Sequence, residues 1–187
     1  MLILASKSPR RRELLDLAGL TYTCIPSDVD ETVPEGMAPE DMPEYLAAKK
    51  AEAVLAGHPG DTVLGSDTLV ILDGEVMGKP ATQQEARDML NSLSGRVHYV
   101  YTGVAILSAQ RRCTFTTCTK VEFYPLTEEE IEDYICSGEP MDKAGAYGIQ
   151  GRGSLLVKRI QGDYYTVVGL PIAEVVRHLR EQKEDMA

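Results

Sequence analysis

The chain has 187 residues, 43% of them hydrophobic, and carries 19 Lys+Arg against 29 Asp+Glu, a formal charge of −10. Such a length folds as one domain, or one domain with a modest lobe, and buries ~70% of the unfolded chain's surface without a disulfide or metal staple, while the acidic excess opposes binding to a nucleic-acid polymer. Four cysteines without a C-x-x-C pair, three scattered histidines and apolar runs far below the ~20 residues that span a bilayer exclude a zinc framework and predict a soluble, cytoplasmic protein with reduced thiols and no membrane partner.

In chain order, Leu2-Ile3-Leu4-Ala5 predicts an opening strand. Ser8 as N-cap, Pro9 as first helical residue and Gly19 as stop then predict a helix carrying Leu14, Leu15, Leu17 and Ala18. Residues 21–40, with Asp28, Asp30, Glu31 and Glu35, read as an acidic loop. A second helix starts at about Asp41, has Pro43 near its start and ends at Gly57. Thr62 to Leu72 is the most apolar strand, and Asp73-Gly74 turns it into a short return strand, Glu75-Val76-Met77. Thr82 to Glu85 reads as a capping box before a helix with Ala86, Met89, Leu90 and Leu93 at helical spacing. Val97 to Leu107 and Cys113 to Phe123 should pair antiparallel. A second capping box, Thr127 to Glu130, opens a helix that stops at Gly138. After the glycine-rich passage Lys143 to Gly153, strands are predicted from about Ser154 and Tyr164 around the Gly162-Asp163 turn, and Gly169-Leu170-Pro171 opens the last helix. The sum is an α/β chain with a mixed sheet and five helices, read as a single domain over residues 1–187.

Several places could carry chemistry beyond what folding needs. Arg10, Arg11 and Arg12 stand at the N-terminus of the first helix, where the backbone N–H groups disfavour cations by ~0.3–1 kcal/mol per side chain. In so acidic a chain this makes sense if a polyanion such as a triphosphate offsets the repulsion, with Ser6 and Ser8 adding donors; the other reading is a solvated basic turn. No Walker A sequence is present, so this is not a P-loop. Asp67, midway along an apolar strand, must be paired, metal-bound or facing a cleft, because an unpaired buried carboxylate costs several kcal/mol. It is either a base or metal ligand, or an edge residue held by Ser66 and Thr68 in a bulge at Gly65. Lys50 shares the apolar stripe of the second helix with Leu46 and Val54, so it either snorkels or points into a site. Lys79, held extended by Pro80, could reach a phosphate. Glu31 could help hold a divalent cation or be merely solvated. Gln150 offers an amide to a planar ligand or is incidental in a turn-rich loop. The histidines, Cys113 and Cys118, and Tyr99 and Tyr101 are assigned to surface or packing.

Taken together, Leu4-Ala5-Ser6-Lys7-Ser8-Pro9-Arg10-Arg11, Gly65-Ser66-Asp67-Thr68, Gly78-Lys79-Pro80 and Asp142 to Gly151 resemble, in order and over nearly the whole chain, the Maf family of nucleoside triphosphate pyrophosphatases. The resemblance implies an elongated mixed sheet with flanking helices in two lobes and the nucleotide in a central cleft, as in the Maf/ITPase-like fold. It implies hydrolysis between the α and β phosphates with a divalent metal, Mg²⁺ or alternatively Mn²⁺. Asp67 matches the proton-accepting aspartate; Ser6, Arg10, Arg11, Lys50 and Lys79 match phosphate-contacting positions; and Glu31 matches an acidic position that, with Asp67, would hold the metal. Arg10, Thr68 and Gln150 look like the subgroup acting on dTTP and UTP rather than the 7-methyl-GTP subgroup, while Arg12 is extra to the pattern. A homodimer is common in such a family. Its association with septum formation and growth arrest leaves a nucleotide-binding regulator of cell division with little catalysis as the alternative.

Overall fold

The computed structural model describes residues 1–184, so the domain expected over residues 1–187 ends in three residues outside the described ones. The described residues form a seven-stranded mixed sheet, in the order β2-β1-β3-β5-β6-β7 with β4 paired to β3, and six α-helices. Two compact units divide it: residues 1–67, 102–117 and from Gly169 onward form the first, and residues 68–101 with 118–168 the second. The mixed α/β class expected from the sequence is therefore the observed one.

In the first unit, β1 (Leu2–Leu4) buries Ile3 and Leu4 completely and pairs in parallel with the start of β3 (Thr62–Leu72), from Leu2↔Thr62 to Leu4↔Leu64. Helix α1 (Pro9–Leu17) follows with Ser8 as N-cap, its Oγ accepting from Arg11 N at 3.5 Å, and buries Leu14 and Leu15. The acidic loop expected over residues 21–40 contains one short strand, β2 (Thr23–Cys24), parallel to β1. Two residues carry no readable periodicity; β2 exists because β1 offers its free edge to them.

Helix α2 (Met42–Leu55) covers this part of the sheet with small side chains. Ala47, Ala48, Ala51 and Val54 pack with Ile3 and Val63 in the unit's apolar core. The small residues permit an unusually close approach. A Cβ added at Gly65 of β3 would lie 2.2 Å from the Ala47 carbonyl oxygen, and one at Gly103 in β5 (Val97–Leu107) 2.2 Å from Glu44 N. Gly65 is thus a contact point for a helix. The unit ends with α6 (Ile172–Glu184), whose first turn closes on the Pro171 carbonyl.

The second unit contains β4 (Glu75–Met77), antiparallel to β3 from Val70↔Met77 to Leu72↔Glu75, as the Asp73-Gly74 turn predicts. Helix α3 (Gln83–Leu93) is capped by Thr82, but Glu85 reaches the N–H of Ala81 at 2.7 Å instead of that of Thr82, so the expected capping box is incomplete. Helix α4 (Glu128–Cys136) has the full box, with three glutamates in its first turn. Strand β6 (Arg112–Phe123) bonds to β5, and the backbone links Ser108 N to Arg111 O and Phe123 N to Arg96 O run as an antiparallel hairpin requires. Leu90, Leu93, Phe123 and Ile131 fill the core, all fully or almost fully buried.

Two expectations near the C-terminus are corrected. Ser154 lies in a 3-10 turn, Gly151–Leu155, and strand β7 begins only at Val157 and runs to Gln161, antiparallel to β6. Tyr164 starts a helix, α5 (Tyr164–Val168), where the Tyr-Tyr-Thr-Val-Val composition suggested a strand. The Asp163 carboxylate accepts from Thr166 N at 2.7 Å and from Thr166 Oγ1 at 3.0 Å. That cap outweighs the β-propensity of five residues.

Candidate active site

The turn between β1 and α1 organises the first group. Ser6 is buried, and its Oγ accepts from Ser8 N at 3.2 Å and from Arg11 Nη1 at 3.2 Å. Arg11 Nε donates to the Gly169 carbonyl at 2.8 Å, and Ser66 Oγ donates to the same carbonyl at 3.1 Å. Burial pulls the Arg11 guanidinium below its usual range; the charge of Asp67 opposes this, Arg10 adds to it, and Glu31 opposes it again. Asp67, Arg10 and Glu31 are therefore the charges that act on Arg11. The helix-dipole conflict seen in the sequence is real: α1 has no acidic residue in its first turn, whereas α4 has Glu128, Glu129 and Glu130 there.

The second group meets on Lys50. Its Nζ lies 2.6 Å from Asp67 Oδ1 and 2.7 Å from Glu31 Oε1. The Lys50 and Asp67 side chains are only 11% and 12% exposed, whereas Glu31 is 62% exposed on its loop. The snorkelling reading of Lys50 is excluded by this geometry, and Lys49, one residue earlier, is the side chain that turns outward to the Thr32 carbonyl. Asp67 falls in the gap between the residues of β3 paired with β1 and those paired with β4. Its carboxylate is satisfied by a charge, as a buried carboxylate must be. The close contact of α2 on Gly65 sets the distance that Lys50 spans.

The remaining candidates lie in the second unit. Thr68 is half-buried on β3, Lys79 is exposed between Gly78 and Pro80, and Gln150 is half-buried where the 3-10 turn at Gly151 begins. Gly145 N donates to the Gly78 carbonyl at 3.0 Å, which ties the Lys79 turn to the glycine-rich passage. That passage is held from several sides. Glu139 accepts from Arg152 N at 3.0 Å, the Tyr134 hydroxyl accepts from Gly148 N at 3.1 Å, and His98 Nε2 lies 2.7 Å from the Tyr147 hydroxyl. From the sequence Ser66 could be read only as a neighbour holding Asp67, and Gly169, Glu139 and Tyr134 carry no functional signal. Gly169 was read there only as a helix start, and a glycine before Pro171 carries no sign that its carbonyl anchors an arginine.

Among the described residues no three His, Cys, Asp or Glu side chains form a metal-binding group. The donor chemistry still suits a hard divalent cation. Glu31 and Asp67 direct one oxygen each at a single cation, the Lys50 ammonium, and Mg²⁺ is commonly held by one or two carboxylates together with substrate phosphates. No helix among the described residues is long and apolar enough to cross a membrane.

The fold is mixed α/β, and its first unit pairs Lys50 with two carboxylates whose charges also act on Arg11 at the basic start of α1. The Maf-like protein family matches residues 1–182, and the chain belongs to that family. A dTTP/UTP pyrophosphatase of Bacillus mycoides (strain KBAB4) is 52% identical over 99% of this chain and 97% of its own length. The dTTP/UTP pyrophosphatase of Geobacillus sp. (strain WCH70) is 54% identical over 96% of each chain.

Proposed function

We propose that this protein is a nucleoside triphosphate pyrophosphatase that hydrolyses dTTP and UTP, and related modified pyrimidine nucleotides, to the monophosphate and pyrophosphate. The observation that carries the reading is the meeting of Asp67, Lys50 and Glu31 with Arg10 and Arg11 nearby in charge, in a chain more than half identical to dTTP/UTP pyrophosphatases along nearly its whole length.

The chemistry follows from charge. Water attacks the α-phosphorus, the bond from that phosphorus to the α–β bridging oxygen breaks, and pyrophosphate departs with the bond's electron pair. Asp67 orients the water and takes its proton. Arg10, Arg11, Lys50 and Lys79 bind the nonbridging oxygens and the departing pyrophosphate, where negative charge grows. Ser6 adds a hydroxyl beside Arg11. Glu31 and Asp67 would hold a divalent cation, Mg²⁺ or Mn²⁺, which when bound supplies Lewis-acid neutralisation of phosphate charge. Thr68 and Gln150 select the base. The family match over residues 1–182 supports reading residues 1–187 as a single pyrophosphatase domain, and we place it in the cytoplasm, acting on a free nucleotide as a homodimer.

Pyrophosphate release from a panel of nucleoside triphosphates, with modified pyrimidines and 7-methyl-GTP included, tests the reading. Turnover of dTTP and UTP well above the purine nucleotides is expected, and Asp67→Asn should remove most of it while the fold persists. Tight nucleotide binding without turnover would favour a regulator, and indifference to the base would remove the roles of Thr68 and Gln150. Asp67→Asn turning over at the wild-type rate would remove the base.

A further inference from the structure

Ser66 has no part in the chemistry above, yet its side chain is completely buried and donates its one hydroxyl proton to a backbone carbonyl 103 positions away, that of Gly169. The same oxygen accepts from Arg11 Nε at 2.8 Å. A carbonyl has two lone-pair directions, and here each receives a donor from a different segment, β3 on one side and α1 on the other. Gly169 has φ +123°, a conformation that side-chain-bearing residues rarely adopt, so the direction of this carbonyl is a feature of a glycine at that position.

For Arg11 the consequence is orientational. Its Nε is fixed on the Gly169 carbonyl and its Nη1 on Ser6 Oγ at 3.2 Å. A planar guanidinium held through two nitrogens on two partners has its plane set as well as its direction, which a lysine ammonium cannot reproduce. Ser66 is also the residue immediately before Asp67, so two consecutive residues of β3 carry the proposed base and the anchor of an arginine that feels its charge.

We propose that Ser66 is a positioning residue for Arg11: its hydroxyl holds the Gly169 carbonyl, and the carbonyl in turn sets the angle at which the guanidinium meets the triphosphate. This rests on the pyrophosphatase reading, and it adds a residue to that reaction that touches neither substrate nor metal. An arginine turned by a fraction of an ångström loses alignment with charge that develops only in the transition state, so the effect falls on kcat more than on KM.

The experiment is a double-mutant cycle on the full chain with dTTP, read as kcat and KM alongside thermal melting. Ser66→Ala should lower kcat about tenfold with KM changed less than threefold. In an Arg11→Lys background, where the ammonium cannot use the carbonyl in the same way, adding Ser66→Ala should cost less than twofold. Losses that multiply independently in the double variant, or a Ser66→Ala enzyme at full kcat, would overturn the proposal. If Ser66→Ala does not fold, Ser66→Cys, close in size with a weaker donor, takes its place with the same two outcomes. A wild-type protein that releases no pyrophosphate from any triphosphate would overturn the pyrophosphatase reading itself, which is a different result from multiplicative losses in an active enzyme.

Discussion

Outside the proposed chemistry, His98 is a buried ionisable residue. Its ring is fully buried, packs edge-on against Phe123 and Tyr147 at centroid distances of 5.0 and 5.3 Å, and contacts the Tyr147 hydroxyl through Nε2, while Nδ1 has no hydrogen-bond partner among the described residues. Burial pushes its pKa down to about 4 from 6.5. The folded protein therefore keeps His98 neutral while the unfolded chain protonates it near pH 6.5. Its contribution to stability is complete above that pH, falls as pH drops from 6.5 towards 4, and is exhausted below it. At ~1.4 kcal/mol per unit the loss reaches about 3 kcal/mol. Urea unfolding at pH 7.5 and pH 4.5 should give a drop that His98→Phe reduces by most of this amount; equal drops in the two proteins would show that His98 titrates as it does in the unfolded chain. From sequence His98 could be assigned only to surface or packing. Packing is correct, but the pH response depends on what encloses the ring, and Tyr147 lies 49 positions away.

At the level of elements, the seating of α2 on β3 and β5 decides whether the proposed site exists. Gly65→Ala would place a methyl 2.2 Å from the Ala47 carbonyl oxygen and 3.0 Å from the Ala51 Cβ, so the helix must move. The expected cost is about 3 kcal/mol, at the upper end of overpacking, with a loss of turnover because Lys50 shifts from Asp67. Gly60→Ala, where nothing lies within 4 Å, should change neither stability nor turnover. Denaturant midpoints and kcat for the two variants check this; a stable, active Gly65→Ala protein would mean that α2 adjusts without cost. Element boundaries with local signals were legible: Thr62–Leu72, the Asp73-Gly74 turn and the Thr127 capping box are found where expected. Strand β2 and helix α5 are short, so a neighbouring strand edge decided the first and a single aspartate cap the second, against the β-favouring composition of α5.

For the whole molecule, the charge of −10 and the proposed site pull in opposite directions. Arg10, Arg11 and Lys50 outnumber Glu31 and Asp67, so a compact polyanion meets a local positive excess while the rest of the surface repels extended ones. Pyrophosphate at about 100 times its Kd should stabilise the folded protein by about 2.7 kcal/mol, raising Tm by roughly 5–10 °C. A single-stranded oligonucleotide of equal total phosphate should leave Tm within a degree. A rise with the oligonucleotide matching that with pyrophosphate would mean that the global charge exerts no such selection.

The sequence by itself determined the α/β class, the long strands and helices, and the suspicion that fell on Asp67, Lys50 and the three arginines, because each rests on contrasts between near neighbours: a carboxylate inside an apolar strand, or cations at the wrong end of a helix. Only the tertiary structure decided what these residues meet. Lys50 lies 17 positions from Asp67, and Arg11 lies 158 from Gly169. Such partnerships leave no periodic trace along the chain, since they depend on a strand edge and a helix seat that arise only when distant segments pack.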